Sequence, residues 1–150
     1  MISTTGSSAQ MPDGPRPGAT ALFRGMLSLI FLVAGTGHLL NTEHIVARLL
    51  DAKYGFLATA VAPAHSLVLL AGAALLIGGL GLLLGYRTRW AAALLIVVVL
   101  PITITIQIGR PTLGPLFKNV AIMGGLLFFA THGAGPYSLE WCLWDRPTST

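Results

Sequence analysis

Ser66 to Leu100 reads SLVLLAGAALLIGGLGLLLG (66–85), YRTR (86–89), WAAALLIVVVL (90–100). The first stretch is twenty residues without one charge, and at a helical rise of about 1.5 Å per residue it extends roughly 30 Å, the hydrocarbon thickness of a bilayer. The apolar run resumes after only four residues. Tyr86, Arg87, Thr88 and Arg89 put two cations and an aromatic ring where a tight turn meets the lipid headgroups. Two spans joined this closely are antiparallel neighbours. The stretch is a helical hairpin in lipid, and the remaining chain packs against it.

Composition agrees. Hydrophobic residues make up 54% of the chain and charged residues 9%, whereas a soluble domain needs about a quarter of its residues charged to cover its surface. The net charge of +4 is scattered along 150 residues, which suits anchoring beside a membrane and not a nucleic-acid surface. Cys142 is the single cysteine, so an internal disulfide and a CxxC thiol relay are excluded.

Outward from the hairpin, three further segments complete the expectation of an all-α membrane protein, a bundle of four transmembrane helices over residues 20–135. The first span runs from about Ala19 to Leu40, with Arg24 near its entry, able to snorkel to the headgroups, and His38 near its exit. Asn41 and Thr42 cap a short amphipathic helix, roughly Glu43 to Tyr54, whose Ile45, Val46, Leu49 and Leu50 recur at helical spacing. It is too charged to cross and is expected to lie in the interface plane. The second span covers about Ala62 to Gly85, with Pro63 in its first turn. The third covers Trp90 to about Ile108, kinked at Pro101, after which Thr103, Thr105 and Gln107 alternate, as in an extended exit. The fourth covers about Leu116 to Thr131. Ala74 with Gly78, and Gly81 with Gly85, are four apart, a spacing that lets helices approach closely; Gly124 and Gly125 extend the expectation to the fourth span.

The ends differ in character. Residues 1–19 are rich in Gly, Pro, Ser and Thr and have too little to bury to repay their ordering entropy, so they are disordered unless a partner subunit covers them. The tail is expected to stay uncleaved, since a signal peptidase cut would take much of the first apolar run with it. Residues 136–150 place Tyr137, Trp141 and Trp144 at helical spacing, an aromatic belt for the interface. With four crossings both termini share a side with the Tyr86–Arg89 turn. That side holds Arg16, Arg24, Arg87, Arg89 and Arg146, and the other holds Arg48, Lys53, Arg110 and Lys118. The bias places both termini in the cytoplasm, for a multi-pass protein that the family resemblance given below assigns to a bacterial inner membrane.

No nucleophile motif, phosphate-binding glycine loop, zinc signature or CxxCH haem attachment occurs. What remains is polar residues at membrane depth. The topology brings His38, His65, Gln107 and Asn119 to similar depth on the side opposite the termini, with His44 and Arg110 nearby in loops. Polar groups there face a bundle or a wet cavity and can mark a site. Three readings stand together: the histidines ligate haem iron or a metal, the group hydrogen-bonds a quinone or structural-lipid headgroup, or the side chains satisfy loop carbonyls and each other. His132 lies at the opposite end as a helix-end residue.

Three segments resemble the DoxX family of small four-helix bacterial membrane proteins: FRGMLSLIFLVAGTGHLL (23–40), GGLGLLLGYRTRWAAALL (78–95) and GAGPYSLE (133–140). The third is similar to the family's closing pattern through Gly133, Gly135, Tyr137, Ser138, Leu139 and Glu140. The resemblance implies association with thiosulfate:quinone oxidoreductase and membrane redox assemblies. Many members carry an acidic residue in the second span, whereas this chain has none between Ala62 and Gly85, the corresponding place being Ala74 and Leu75. That favours a non-catalytic accessory subunit of a larger bioenergetic or redox membrane complex, with the bilayer and other subunits as partners. The alternative is a quinone-interacting subunit of a thiosulfate:quinone-type oxidoreductase. A small-solute carrier or channel comes third, since the spans lack a polar stripe through the membrane.

Overall fold

The computed structural model describes residues 17–108, 113–135 and 137–144. The N-terminal tail up to residue 16, with its expected disorder or partner cover, lies outside the described residues, as do Arg110, Arg146 and the last six positions. Within them the chain is helical, with α1 (Pro17–Leu40), α2 (Thr42–Leu50), α3 (Gly55–Thr59), α4 (Ala64–Leu84), α5 (Thr88–Ile102), a π turn (Thr103–Gln107), α6 (Gly114–His132) and α7 (Leu139–Trp144). Four helices are long and apolar enough to cross a membrane: α1, α4, α5 continued through the π turn, and α6. Leu22, Val33, Leu70, Ile77, Val97 and Leu127 all point outward. A large apolar surface around a small core is the arrangement that lipid, and not water, rewards.

The core is formed by Leu27 and Phe31 of α1, Leu75 and Leu82 of α4, Ala92, Leu95 and Val99 of α5, and Ile122, Leu126 and Phe129 of α6. Neighbouring spans pack in the order α1, α4, α5, α6, and α1 and α6 meet only sparingly. Because lipid tails are as apolar as leucine, close backbone approach and interhelical hydrogen bonds must hold these helices together. A Cβ on Gly35 would lie 2.9 Å from the Gly72 carbonyl oxygen, and one on Gly72 would lie 2.9 Å from the His38 Cβ. One on Gly79 would lie 3.1 Å from the Phe31 Cβ. Gly72 and Gly79, two turns apart, therefore form the α4 side of the α1 seam. Gly78 serves α5, where an added Cβ would come within 2.7 Å of Leu95 Cγ. Gly81 approaches Ala91 at 3.1 Å and Gly125 approaches Phe23 at 3.0 Å on the same measure. Ala74 is half-buried. Gly124 meets nothing within 4 Å, so it packs no helix of this chain among the described residues.

Four local expectations need correction. The helix expected over Glu43 to Tyr54 stops early, as α2 at Leu50; 310-type bonds from Ala52 N–H to Leu49 O and Gly55 N–H to Ala52 O tighten the chain over Asp51–Tyr54, and a separate short helix, α3, follows. Asn41 and Thr42 do not cap it by side chain; the Thr42 hydroxyl bonds backward to the His38 carbonyl at 2.8 Å. Pro63 is the residue ahead of α4, with an extended ψ of 135°, not a member of its first turn. The exit of span three is not extended. Pro101 has no N–H for the Val97 carbonyl, and the register slips into the π turn. The hydroxyls of Thr103 and Thr105 donate to the Val99 and Pro101 carbonyls at 2.7 and 2.8 Å, which adds a side-chain bond to each carbonyl around the slip.

The hairpin closes as its glycine dictates. Gly85 takes φ 67° and ψ 35°, the left-handed region, and ends α4 with bonds from Tyr86 N–H to Gly81 O (2.9 Å) and Gly85 N–H to Leu82 O (3.2 Å). This pair of bonds is a Schellman cap. Gly78→Val is expected to lower unfolding stability in detergent by about 1–3 kcal/mol through overpacking against Leu95, and Gly124→Val to change it little. Chemical unfolding of the two variants side by side checks this; equal losses would break the assignment of the seam.

Candidate functional site

Two features are built at opposite ends of the bundle. At the end away from the termini, α1 and α6 diverge and leave a cleft of about 310 Å³. That volume sits at the low end of ligand pockets, roughly 300–1,000 Å³. Its walls are apolar, including Phe31 and Ala34 of α1, Leu75 of α4, Val99 of α5 and Ile122 of α6. Ile30 lines the cleft and is also 42% exposed, so the opening faces sideways, toward lipid. Closer to the aqueous end come His38, Gln107 and Asn119, with Arg48 of α2 and Lys118 of α6 beside them.

Each polar group is held by its own element. His38 rides on the last turn of α1, in space that Gly72 leaves free. Its Nδ1 lies 2.8 Å from the Ala34 carbonyl oxygen, which can only accept. Nδ1 therefore carries the proton, and in the neutral ring Nε2 is left as an acceptor. Asn119, buried on the second turn of α6, donates from Nδ2 to Thr103 Oγ1 at 3.0 Å. Thr103 in turn donates to Val99 O. This relay fixes the Asn119 amide with its Oδ1 as a further acceptor. The π turn that Pro101 provokes thus sets Thr103 against α6 and carries Gln107 into the cleft lining.

Of the four residues selected by depth, His38, Gln107 and Asn119 meet at one cleft, and His65 does not. His65 faces outward, its side chain 58% exposed, with Nε2 3.9 Å from Glu43 Oε1. His38 and His65 therefore do not converge as two axial or metal ligands would. Among the described residues no three His, Cys, Asp or Glu side chains come together as a metal centre requires.

The second feature was not selected from the sequence as a site. Arg24, on the second turn of α1, does not snorkel outward; it is only 4% exposed. Its guanidinium donates to the Ala134 and Tyr137 carbonyl oxygens, both at 2.6 Å. The segment around them is held by its own bonds. Ser138 Oγ donates to Gly135 O at 2.9 Å and accepts from Trp141 N–H at 3.1 Å, which starts α7. Glu140 N–H donates to Gly85 O at 3.1 Å, and Glu140 Oε2 accepts from Thr88 N–H at 3.4 Å. A Cβ on Gly85 would lie 2.5 Å from Ser138 Cβ and 3.1 Å from Arg24 Cζ. The glycine is needed there for space as well as for its φ. The signal that could have exposed this latch was the pairing of a cation inside span one with a Gly-x-Gly loop of unsatisfied carbonyls.

Four apolar crossing helices around a latched end and a lateral cleft define a small multi-pass, all-α membrane protein. The DoxX family model matches residues 19–108, more than half of the chain, and the protein belongs to the DoxX family. The match runs from α1 through the π turn, so the GAGPYSLE segment lies beyond it. No curated protein and no solved structure matches the chain.

Arg24→Met keeps the stem and leaves one buried and one part-buried carbonyl, those of Ala134 and Tyr137, without their charged donor. Its expected cost is about 2–3 kcal/mol of stability, with the 133–140 segment becoming the first point of proteolysis. Limited proteolysis followed by mass mapping reads this, and an unchanged cleavage pattern would count against the latch.

Proposed function

We propose that the protein is a non-catalytic subunit of a larger redox assembly in a bacterial inner membrane, contributing a binding site for a quinone headgroup. The observation that carries this reading is the cleft itself: apolar walls, a sideways opening toward lipid, and His38, Gln107 and Asn119 gathered at one end. A quinone needs that combination. Its ring and tail are apolar, its two carbonyls are acceptors, and its reduced form has two hydroxyls that donate. Gln107 carries amide donors, and the Nε2 of His38 and the Oδ1 of Asn119 are acceptors. Arg48 and Lys118 add cationic donors near the mouth. Electrons would come from a partner subunit, which gives the protein its place as an accessory component.

Labelling with a photoactivatable quinone tests the site. His38→Ala and Asn119→Leu are each expected to lower labelling of the detergent-purified protein by about tenfold, the equivalent of one lost good hydrogen bond. Undiminished labelling in folded variants would refute the site. Purification from native membranes in mild detergent tests the subunit reading separately, since a protein eluting alone at its own monomer or homo-oligomer mass has no such assembly. Reporter fusions are expected to place both termini in the cytoplasm, and an external reading at the Tyr86–Arg89 turn would reverse the orientation while leaving the bundle intact.

A further inference from the structure

At the latched end, opposite the cleft, the α4–α5 turn, the end of α6 and α7 enclose a broad groove of about 1040 Å³. Arg87 and Arg89 line it from the turn, His132 from the end of α6, and Trp90, Trp141 and Leu143 supply apolar surface. We propose that this groove is a binding site for the phosphodiester headgroup of an anionic phospholipid, with Trp90, Trp141 and Leu143 receiving the upper part of its acyl chains.

The cations are placed for a ligand and not for the protein. Among the described residues neither Arg87 nor Arg89 has a carboxylate within ion-pair distance; the one such pair is His65 with Glu43, at the other end. The groove's own carboxylate, Glu140, is engaged by the Thr88 N–H. The two arginines are also set against the helix they begin. Arg87 is the N-cap of α5 and Arg89 lies in its first turn, which holds no acidic residue, and cations there oppose the helix dipole. Arg87 moreover sits in the left-handed region at φ 44°, a conformation that bulky side chains rarely take. Two unpaired cations at a positive helix end, one on strained backbone, are offset where an anion binds between them.

An imidazole adds to the polar side of the groove. His132 stacks on Phe128, ring centroids 4.6 Å apart, and its Nδ1 lies 3.1 Å from the Phe128 carbonyl, which leaves Nε2 as the remaining nitrogen on a groove-lining ring. The apolar side is as specific. Trp90 is 73% exposed and Leu143 70%, beside the arginines at the level where the helices leave the apolar zone. Cationic groups with large exposed apolar side chains at that depth match an amphiphile, where a soluble anion would need only the former.

Native mass spectrometry of the full-length protein, titrated with phosphatidylglycerol and with phosphatidylcholine, tests the proposal. Phosphatidylglycerol is expected to bind about tenfold more tightly, and the preference to vanish in the Arg87→Gln/Arg89→Gln double variant while surviving in Lys53→Gln, an exposed cation at the opposite end that lines neither the groove nor the cleft. Equal binding of the two lipids by the wild type, or a preference that persists in the double variant, would overturn the site. Inorganic phosphate at millimolar concentration is expected not to displace the lipid; displacement would make this a site for a soluble anion. Should the double variant fail to fold, a photoactivatable phosphatidylglycerol on the wild type decides by itself: cross-links at Trp90, Trp141 or Leu143 support the groove, and cross-links spread over the lipid-facing surface refute it. None of these readouts depends on quinone binding.

Discussion

The hydrogen bonds from Arg24 to Ala134 and Tyr137 are the constraint on which the rest depends. A guanidinium inside an apolar helix is costly unless its donors are met, and non-helical carbonyls are equally costly without donors. Nη1 and Nη2 of Arg24 meet those two carbonyls, while its buried Nε has no hydrogen-bond partner among the described residues. The arrangement also requires that the α4–α5 turn come close, because Gly85 lies against both Arg24 and Ser138 and accepts from Glu140 N–H. One buried charge thereby ties the first helix, the hairpin and the segment after the last span into a single joint. In lipid, where burial supplies no net pull between helices, such polar joints and the glycine seams decide the arrangement.

The two ends of the bundle differ because their polar ties run in different directions. At the latched end α1 reaches α6: Phe23 packs on Phe129 with centroids 5.3 Å apart and on Phe128 at 6.2 Å, and Gly125 lets Phe23 and Leu27 come close. At the other end α6 is tied to α5 and not to α1, through Asn119 and Thr103. Pro101 is upstream of that choice, since the π turn it provokes sets Thr103 against α6. With α6 drawn toward α5 and α1 held on α4 by Gly35 and Gly72, a gap between α1 and α6 follows. The cleft is a consequence of where the bonds go.

Sequence reading reaches the spans because hydropathy acts over twenty residues at a time and does not depend on neighbours. It reaches depth for the same reason, which is how His38, Gln107 and Asn119 were grouped. It does not reach azimuth: His65 shares their depth, but α4 begins at Ala64 and its first turn faces Glu43. The glycines show the same limit. Spacings of four selected Ala74 with Gly78 and Gly81 with Gly85, while the α1 seam uses Gly72 and Gly79 with Gly35 as the partner. Which spacing forms a contact depends on the crossing angle, a property of two helices at once. From sequence alone Arg24 reads as snorkelling, because its Ala134 acceptor lies 110 residues further along the chain.

The missing acid of the second span gains a location in the structure. The resemblance to DoxX proteins implies an acidic residue near Ala74 and Leu75, and Leu75 is 3% exposed and lines the cleft. A carboxylate there would sit in the apolar wall, able to exchange a proton with whatever the cleft holds. Leucine closes that route. The ionisable groups left along the cleft are His38, Arg48 and Lys118, all toward its aqueous end. No titratable group of α4 lies deeper along the cleft to carry a proton inward. On the function proposed above, a cleft built this way suits holding a headgroup more than driving protons across, which is the distinction between a binding subunit and a pump.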